Sequence, residues 1–482
     1  MIDLKPTNSS PTSIWNAVDV AVATGGRARG GLWEASGVSI DSRTLKPGDL
    51  FIALIGPNHD GHDHIQSALD KGACAIIASH LPSLRDDEIP AIIVNNTKKA
   101  LTDLAKTARE RTRAKIIAIT GSVGKTGTKE MIASALSKAG SVISTLGNQN
   151  NQIGVPLSVS RLPKDCDFGV FEAGMNTPGE ILELTKIIRP HVALITTVTE
   201  AHTEFFQNIE QVAYEKGEVF RGLEKGGTAL INRDSPFFFQ LLEQAKHSNA
   251  NQIISFGKNP KADCRLVNWD TSSSGTSINA IIADRNLNYK INLQGEHWAI
   301  NSIAAIGASI AAGGCQEKVI EGLTELMPIE GRGQIYQVEF DNKIIEIIDE
   351  SYNASPASMK AALECLGQKI TPADTRRVAI LGDMLELGLN TNQSHAELAQ
   401  TCQSAGIDIV HTVGQLMANL YLALPGSIQG EHFPSAEKIK ASLNLIIKNG
   451  DTILIKGSQG MRMRQVLNAL VSANEHRKAC GD

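Results

Sequence analysis

The residues best suited to chemistry lie in one short turn, Thr120-Gly121-Ser122-Val123-Gly124-Lys125-Thr126, which directly follows the apolar run AKIIAIT. Glycines allow a tight turn whose backbone N–H groups point inward, and the start of a following helix adds a favourable dipole for an anion. In such a turn Gly121, Ser122, Val123, Gly124 and Gly127 would wrap phosphate oxygens with backbone. Lys125 would meet the β- and γ-phosphates, and the Thr126 hydroxyl would help to hold Mg²⁺. Two residues separate the glycines where the common loop has four, which sets the chain apart from routine GTPases and ABC-type ATPases. ATP binding follows as an expectation, but a phosphate loop alone does not separate kinase, hydrolase, motor and ligase.

A loop of this kind needs a strand before it and a helix after it. TKEMIASALSKAG supplies a helical pattern, and GVFEA, HVALITTV, TALIN and IISFG supply further strand-like runs, with GEILELTKII as a second helix. Strand and helix alternating at this spacing predict a mostly parallel sheet covered on both faces. NWDTSSSGTSIN (268–279) is polar and turn-rich and reads as a loop or exposed excursion. HWAINSIAAIGASIAAGG (297–314) reads as a closely packed helix rich in small side chains. Before this unit, LFIAL, CAIIAS and AIIVNN read as short strands, with HIQSALDKG as a helix between them and KKALTDLAKTARE (98–110) as a helical bridge. After it, KIIEIID, RRVAILG, DIVHTVG and DTILIKG predict another parallel α/β sheet. The fold class is therefore α/β in three domains: a small mixed unit over 1–95, a central parallel-sheet, P-loop ATPase-like unit over 96–330, and a Rossmann-like unit over 331–482.

Composition removes several other functions. A length of 482 residues suits about three domains. A formal charge of −5, with 46 basic against 51 acidic residues, gives no general attraction to nucleic acid. No apolar stretch is long enough to span a membrane, and the start, MIDLKPTNSSP, lacks the apolar region of a signal peptide. The seven cysteines are scattered and never form C-x-x-C, which points to a reducing compartment and no structural zinc. A cytoplasmic, monomeric enzyme is the expectation.

Other segments around the loop narrow the chemistry. GNQNNQIGVP (147–156), FEAGMNTPGEI (171–181), EAH (200–202), YEKGEVF (214–220), GEHWAIN (295–301), GRG (331–333), DESYNASPASM (349–359), LGDMLELG (381–388) and KGSQGMRM (456–463) follow it in order. Upstream stand DSRTLKPGDLFIAL (41–54) and DGHDHI (60–65). With the short T-G-x-x-G-K-T loop, this set resembles the Mur ligase family over essentially the whole chain. SYNASP, LGDMLELG and MNTPGEI resemble its dipeptide-adding branch. That resemblance implies a reaction. ATP phosphorylates the terminal carboxylate of UDP-MurNAc-tripeptide, and the amine of D-Ala-D-Ala then attacks the acyl phosphate. The products are the pentapeptide precursor, ADP and phosphate.

The resemblance also assigns roles. Thr126 and Glu172 would hold Mg²⁺ beside ATP, and His202 would help to hold a second ion. The family more often shows N-x-G-x-x-H there, whereas this chain has Thr197 and Thr199 in that region. Lys216 matches the lysine that becomes an N-carboxylysine: CO₂ addition turns a cation that cannot bind a metal into a carboxylate that can. Asn148, Asn150 and Asn151 would hydrogen-bond the reacting carboxylate or phosphate. Asn301 and His297, four apart on one helix, would share a face near the nucleotide. Arg332 would clamp ATP phosphate as the third domain closes. Asp349 and Asn353 would join nucleotide or amine binding, and Tyr352 either stacks on adenine or packs. Glu350 and Ser355 replace the family's more frequent Asp and Asn. Asp383, Glu386, Lys456 and Ser458 would line the cleft, and Ser42 and Arg43 would contact the nucleotide sugar. Asp60, His59, His62 and His64 read as a turn shaping that pocket.

Two alternatives remain open at this point. A related ligase adding the third amino acid to UDP-MurNAc-dipeptide would share most of these motifs. An ATP-gated binding module would explain the loop but not the carboxylate, histidine and lysine that accompany it.

Overall fold

The computed structural model of the chain describes residues 13–81, 89–199, 205–272, 274–369, 372 and 374–479. Three large sheets organise it. The first has five strands in the order Arg27–Arg29, Ala91–Ile93, Ala75–Ala78, Asp49–Ile52 and Gly37–Ser39, parallel except at the Arg27–Arg29 edge. The second has nine. From one edge it runs Val142–Ser144, Phe168–Glu172, Lys115–Thr120, Val192–Ile195, Gly227–Asn232 and Ala250–Gly257, all parallel, and then Cys264–Ser272, Gly275–Ile282 and Arg285–Ile291. The third has six, with Gln334–Phe340 as an antiparallel edge beside Lys343–Glu350, followed in parallel by Thr452–Lys456, Arg377–Gly382, Ile409–Val413 and Gln429–Phe433.

The central strands are apolar without alternation because both faces are covered. Ile116, Ile117, Ala118 and Ile119 are all fully buried. Successive side chains point to opposite faces, so Ile116 and Ala118 enter one core while Ile117 and Ile119 enter another. The second core is closed by Met131 and Ile132 of the helix Lys125–Ser137 and by Ile303 and Ile306 of the helix Glu296–Ala311. The first core is shared with the first sheet. The helix Thr97–Arg111 places Ala100, Leu101, Leu104 and Ala108 in the same cluster as Leu50, Ile77 and Ile92. Two bonds reinforce that junction: Trp15 Nε1–H donates to the Ser160 carbonyl at 2.9 Å, and Arg161 donates to the Val38 carbonyl at 2.8 Å.

The segment 268–279, expected as a loop or exposed excursion, falls in two paired strands, Cys264–Ser272 and Gly275–Ile282, whose polar face is exposed. Cys264–Ser272 pairs antiparallel with Gly275–Ile282, with Asp270 opposite Ser277 and Thr271 opposite Thr276. Leu266, Ile278, Ala280 and Ile282 are buried, while Asn268, Asp270 and Ser277 face water. A hairpin with one face open to water needs only one apolar face, and its polar face hid it in the sequence. The edge strands Val142–Ser144, Gln334–Phe340 and Gln429–Phe433 were likewise not expected. Among the described residues no helix is long and apolar enough to cross a membrane.

Candidate active site

The phosphate-loop strand Lys115–Thr120 ends at the carboxyl edge of the central sheet, where open parallel sheets present ligand-binding groups. Gly121 then turns the chain so close to the next strand that a Cβ there would collide with the Thr196 side chain. Gly124 sits at φ +83°, in the left-handed region that glycine occupies without strain, and caps the helix Lys125–Ser137. The loop is held from outside. The Ser122 N–H donates to the Thr197 carbonyl at 2.8 Å, the Ser122 hydroxyl to the Thr199 carbonyl at 3.0 Å, and the Thr196 hydroxyl to the Val123 carbonyl at 2.6 Å.

Four elements bring polar groups to this loop. Lys125 folds over it, donating to the Gly121 carbonyl at 2.8 Å and the Ser122 carbonyl at 3.2 Å. Burial lowers its pKa, with Glu172 opposing that shift and Arg332 adding to it. Glu172, the last residue of the strand Phe168–Glu172, is only 1% exposed. Its carboxylate accepts from the Thr126 hydroxyl at 2.8 Å and from the Asn150 amide at 2.7 Å. Lys216, near the end of the helix Ile209–Gly217, is 2% exposed and donates to the Gly121 carbonyl at 3.1 Å. Burial, and then the charge of Lys125, push its amine well below the usual lysine range. Arg332, in the linker to the third sheet, donates to the Thr126 hydroxyl at 3.2 Å and lies 4.2 Å over the Tyr352 ring.

These groups face a cleft of about 920 Å³ between the central and third sheets. Ser122 to Gly127, Asn148, Asn150, Asn151, Glu172 and Lys216 form one wall. His297 and Asn301 share a helix face beside it, and Gly124 approaches the Asn301 amide so closely that a Cβ would stand 3.2 Å away. Arg332, Tyr352, Asn353, Glu386, Lys456 and Ser458 form the facing wall. Lys456 is held there by Glu350 at 3.1 Å and the Asn353 carbonyl at 3.0 Å.

Besides Gly121, whose carbonyl accepts from Lys125 and Lys216, four expected contact residues do not line this cleft. The Asp349 carboxylate is buried and turned to its own linker, accepting from the Gly331 N–H at 3.0 Å, the Ser351 N–H at 3.0 Å and the Ser351 hydroxyl at 2.6 Å. These contacts shape the turn that carries Arg332 and leave the carboxylate off the cleft surface. Asp383 is likewise buried and accepts the Met417 N–H at 2.7 Å. Both carboxylates satisfy backbone donors that burial would otherwise orphan. Ser42 and Arg43 lie after the strand Gly37–Ser39 of the first sheet, Ser42 buried and Arg43 exposed in a 2.7 Å pair with Asp41. His202 falls outside the described residues. His62 bonds Asp60 at 2.6 Å and Ser79 at 3.0 Å.

Thr196 and Trp298 also line the site, with no role expected from the sequence. Thr196 stands one position beyond the strand Val192–Ile195, and that location at a parallel strand end was the available signal. Trp298 packs so tightly on the loop helix that a Cβ on Gly127 would stand 2.5 Å from its ring.

Mg²⁺ favours hard oxygen donors, and the Thr126 hydroxyl and Glu172 carboxylate, 2.8 Å apart in a buried corner, fit that demand. Among the described residues no three His, Cys, Asp or Glu converge on one point.

Three family descriptions match the chain in order: the Mur ligase family catalytic domain over residues 34–113, the Mur ligase middle domain over 119–309, and the Mur ligase glutamate ligase domain over 331–459. A UDP-N-acetylmuramoyl-tripeptide–D-alanyl-D-alanine ligase of Rickettsia prowazekii is 36% identical over 94% of this chain and 99% of its own. The crystal structure of MurF from Acinetobacter baumannii superposes with a TM-score of 0.83 at 29% identity, covering 96% of this chain and 99% of that one. MurF from Thermotoga maritima, solved in complex with ADP, gives a TM-score of 0.74 at 28% identity, covering 92% and 98%. Such identity across nearly the full length of both chains, with all three domains matched in order, establishes that this chain belongs to the Mur ligase family.

Proposed function

We propose that this enzyme joins D-alanyl-D-alanine to the terminal carboxylate of UDP-N-acetylmuramoyl-tripeptide, using ATP and passing through an acyl phosphate. The observation that carries the reading is the convergence of Lys125, the Thr126–Glu172 pair, Lys216 and Arg332 on one cleft between two sheets. A carboxylate is a poor electrophile until one oxygen becomes a leaving group. Phosphoryl transfer needs positioning and neutralisation of oxygen charge more than covalent help. Lys125 and Arg332 supply positive charge to the phosphates from opposite walls. Asn148 and Asn151 orient the reacting carboxylate by hydrogen bonding.

Mg²⁺ bound by Thr126 and Glu172 would neutralise charge on the phosphate oxygens. Lys216 suits carbamylation, because burial favours its neutral amine and only a neutral amine adds CO₂. As N-carboxylysine it would offer a further oxygen ligand, with His202 completing a second metal position. The first domain, residues 1–95 with Ser42 and Arg43, would receive the UDP-sugar. The central domain, 96–330, would hold ATP. The third, 331–482, would present the dipeptide near Asn353, Lys456 and Ser458, with Asn301 and Tyr352 on the nucleotide side. Phosphate-rich substrates call for positive charge at the cleft, where Lys125 and Arg332 stand, and not for a globally basic chain, in accord with a net charge of −5.

Phosphate release should be measured with ATP, Mg²⁺ and purified UDP-MurNAc-tripeptide while the amine is varied. D-Ala-D-Ala should support turnover. Turnover only on UDP-MurNAc-dipeptide, with meso-diaminopimelate or L-Lys as the amine, would transfer the chain to the branch that adds the third residue.

A further inference from the structure

One charged side chain beside the site is used by none of the steps above. Lys129 lies on the phosphate-loop helix and is 0% exposed. An ammonium has three N–H donors and is costly to bury unless they are matched. Here it donates to the Thr145 carbonyl at 2.5 Å and the Gly147 carbonyl at 3.4 Å, and pairs with Glu130 at 2.6 Å. The two carbonyls flank Leu146, where the chain enters the loop that carries Asn148, Asn150 and Asn151. Thr145 has a second task. Its hydroxyl accepts the backbone N–H of Glu172 at 3.1 Å, and the Glu172 carboxylate in turn accepts from Asn150 and Thr126.

We infer that Lys129 is a positioning residue. It ties the phosphate-loop helix to the asparagine loop, so that Thr126, Glu172 and Asn150 are assembled as one unit. The inference rests on the ligase reading for its functional consequence. A buried ion pair alone contributes little net stability and could be replaced by an apolar side chain. Two backbone carbonyls at the root of a cleft loop give the charge a reason to be there.

The test compares Lys129→Met, Lys129→Gln and Glu130→Gln with the parent enzyme. Measured quantities are kcat for ligation, the Kd of ADP by titration calorimetry, and amide hydrogen exchange over residues 145–151. Both Lys129 variants should lose at least thirtyfold in kcat and exchange at least tenfold faster over 145–151, while ADP affinity stays within threefold. Glu130→Gln keeps both carbonyl contacts and should stay within threefold in kcat and ADP affinity. A Lys129→Met enzyme within threefold in kcat overturns the inference, as does Glu130→Gln matching the Lys129 variants. Failure of both Lys129 variants to fold also overturns it, since the lysine would then be a core requirement. If the parent enzyme itself forms no ligation product, the ligase reading fails, and hydrogen exchange still decides whether Lys129 orders the loop.

Discussion

Replacement of Arg332 by alanine should cripple turnover while leaving the fold nearly intact. In the structure its guanidinium donates to the Thr126 hydroxyl at 3.2 Å and covers the Tyr352 ring at 4.2 Å. At a partly exposed cleft wall these two contacts are worth about 1 kcal/mol together for folding, a shift of only a few degrees in Tm. Facing phosphate in a closing cleft, the same group forms charge-assisted bonds worth about 1.5–3 kcal/mol. Loss of the stacked geometry adds up to about 1 kcal/mol. The sum, roughly 1.5–4 kcal/mol, corresponds to a fall of about 13- to 900-fold in kcat/KM for ATP. Arg332→Lys keeps the charge but not the planar fork and should fall between the parent and the alanine variant. Tyr352→Phe preserves the ring and should change little. A coupled ADP-release assay beside a thermal melt separates the two effects. An Arg332→Ala enzyme within threefold in kcat/KM, or one whose loss tracks its Tm, would refute the phosphate-clamp role.

Three further outcomes follow from particular contacts. Gly127→Val places its Cβ 2.5 Å from the Trp298 ring and should cost about 1–3 kcal/mol by overpacking, read as a lower Tm together with weaker ADP binding. His411 is buried, and burial with nearby Arg376 pushes its imidazole down to about 4 from 6.5. Between those values the unfolded chain takes up a proton that the folded chain refuses, so stability is full above pH 6.5 and falls as pH drops towards 4. The loss by pH 4.5 is on the order of 2–3 kcal/mol. His411→Asn keeps an acceptor for the Glu431 N–H, and should shrink the difference between urea midpoints at pH 7 and 4.5. Asp349→Ala orphans donors on Gly331 and Ser351 and should destabilise the protein by about 2–4 kcal/mol in denaturant unfolding.

The central sheet was legible because buried parallel strands are written as continuous apolar runs, of which Ile116–Ile119 is the plainest. The phosphate loop was legible because its glycines, lysine and threonine each answer a separate physical demand. What escaped followed from geometry that sequence order does not carry. The strands Cys264–Ser272 and Gly275–Ile282 alternate polar and apolar residues near a sheet edge and so resemble a loop rich in Ser and Thr. Asp349 and Asp383 belong to motif segments, yet their carboxylates point to backbone N–H groups; residue type fixed their polarity and not their direction. Lys129 was invisible as a buried charge, because a lysine on a helix is ordinarily solvated and its acceptors lie 16 and 18 positions away. Thr196 carries no motif, and only the paired strand ends bring its hydroxyl to Val123.

Isotope transfer during ligation reports whether the substrate carboxylate is itself phosphorylated. UDP-MurNAc-tripeptide labelled with ¹⁸O in its terminal carboxylate should be incubated with the enzyme, ATP, Mg²⁺ and D-Ala-D-Ala, and both products weighed by mass spectrometry. Attack of that carboxylate on ATP, followed by displacement by the amine, moves one labelled oxygen into phosphate and leaves the other in the new amide. Singly labelled phosphate should form in equal amount to a pentapeptide that retains one label. Unlabelled phosphate, or phosphate released without D-Ala-D-Ala joined to the tripeptide, would contradict ligation through an acyl phosphate.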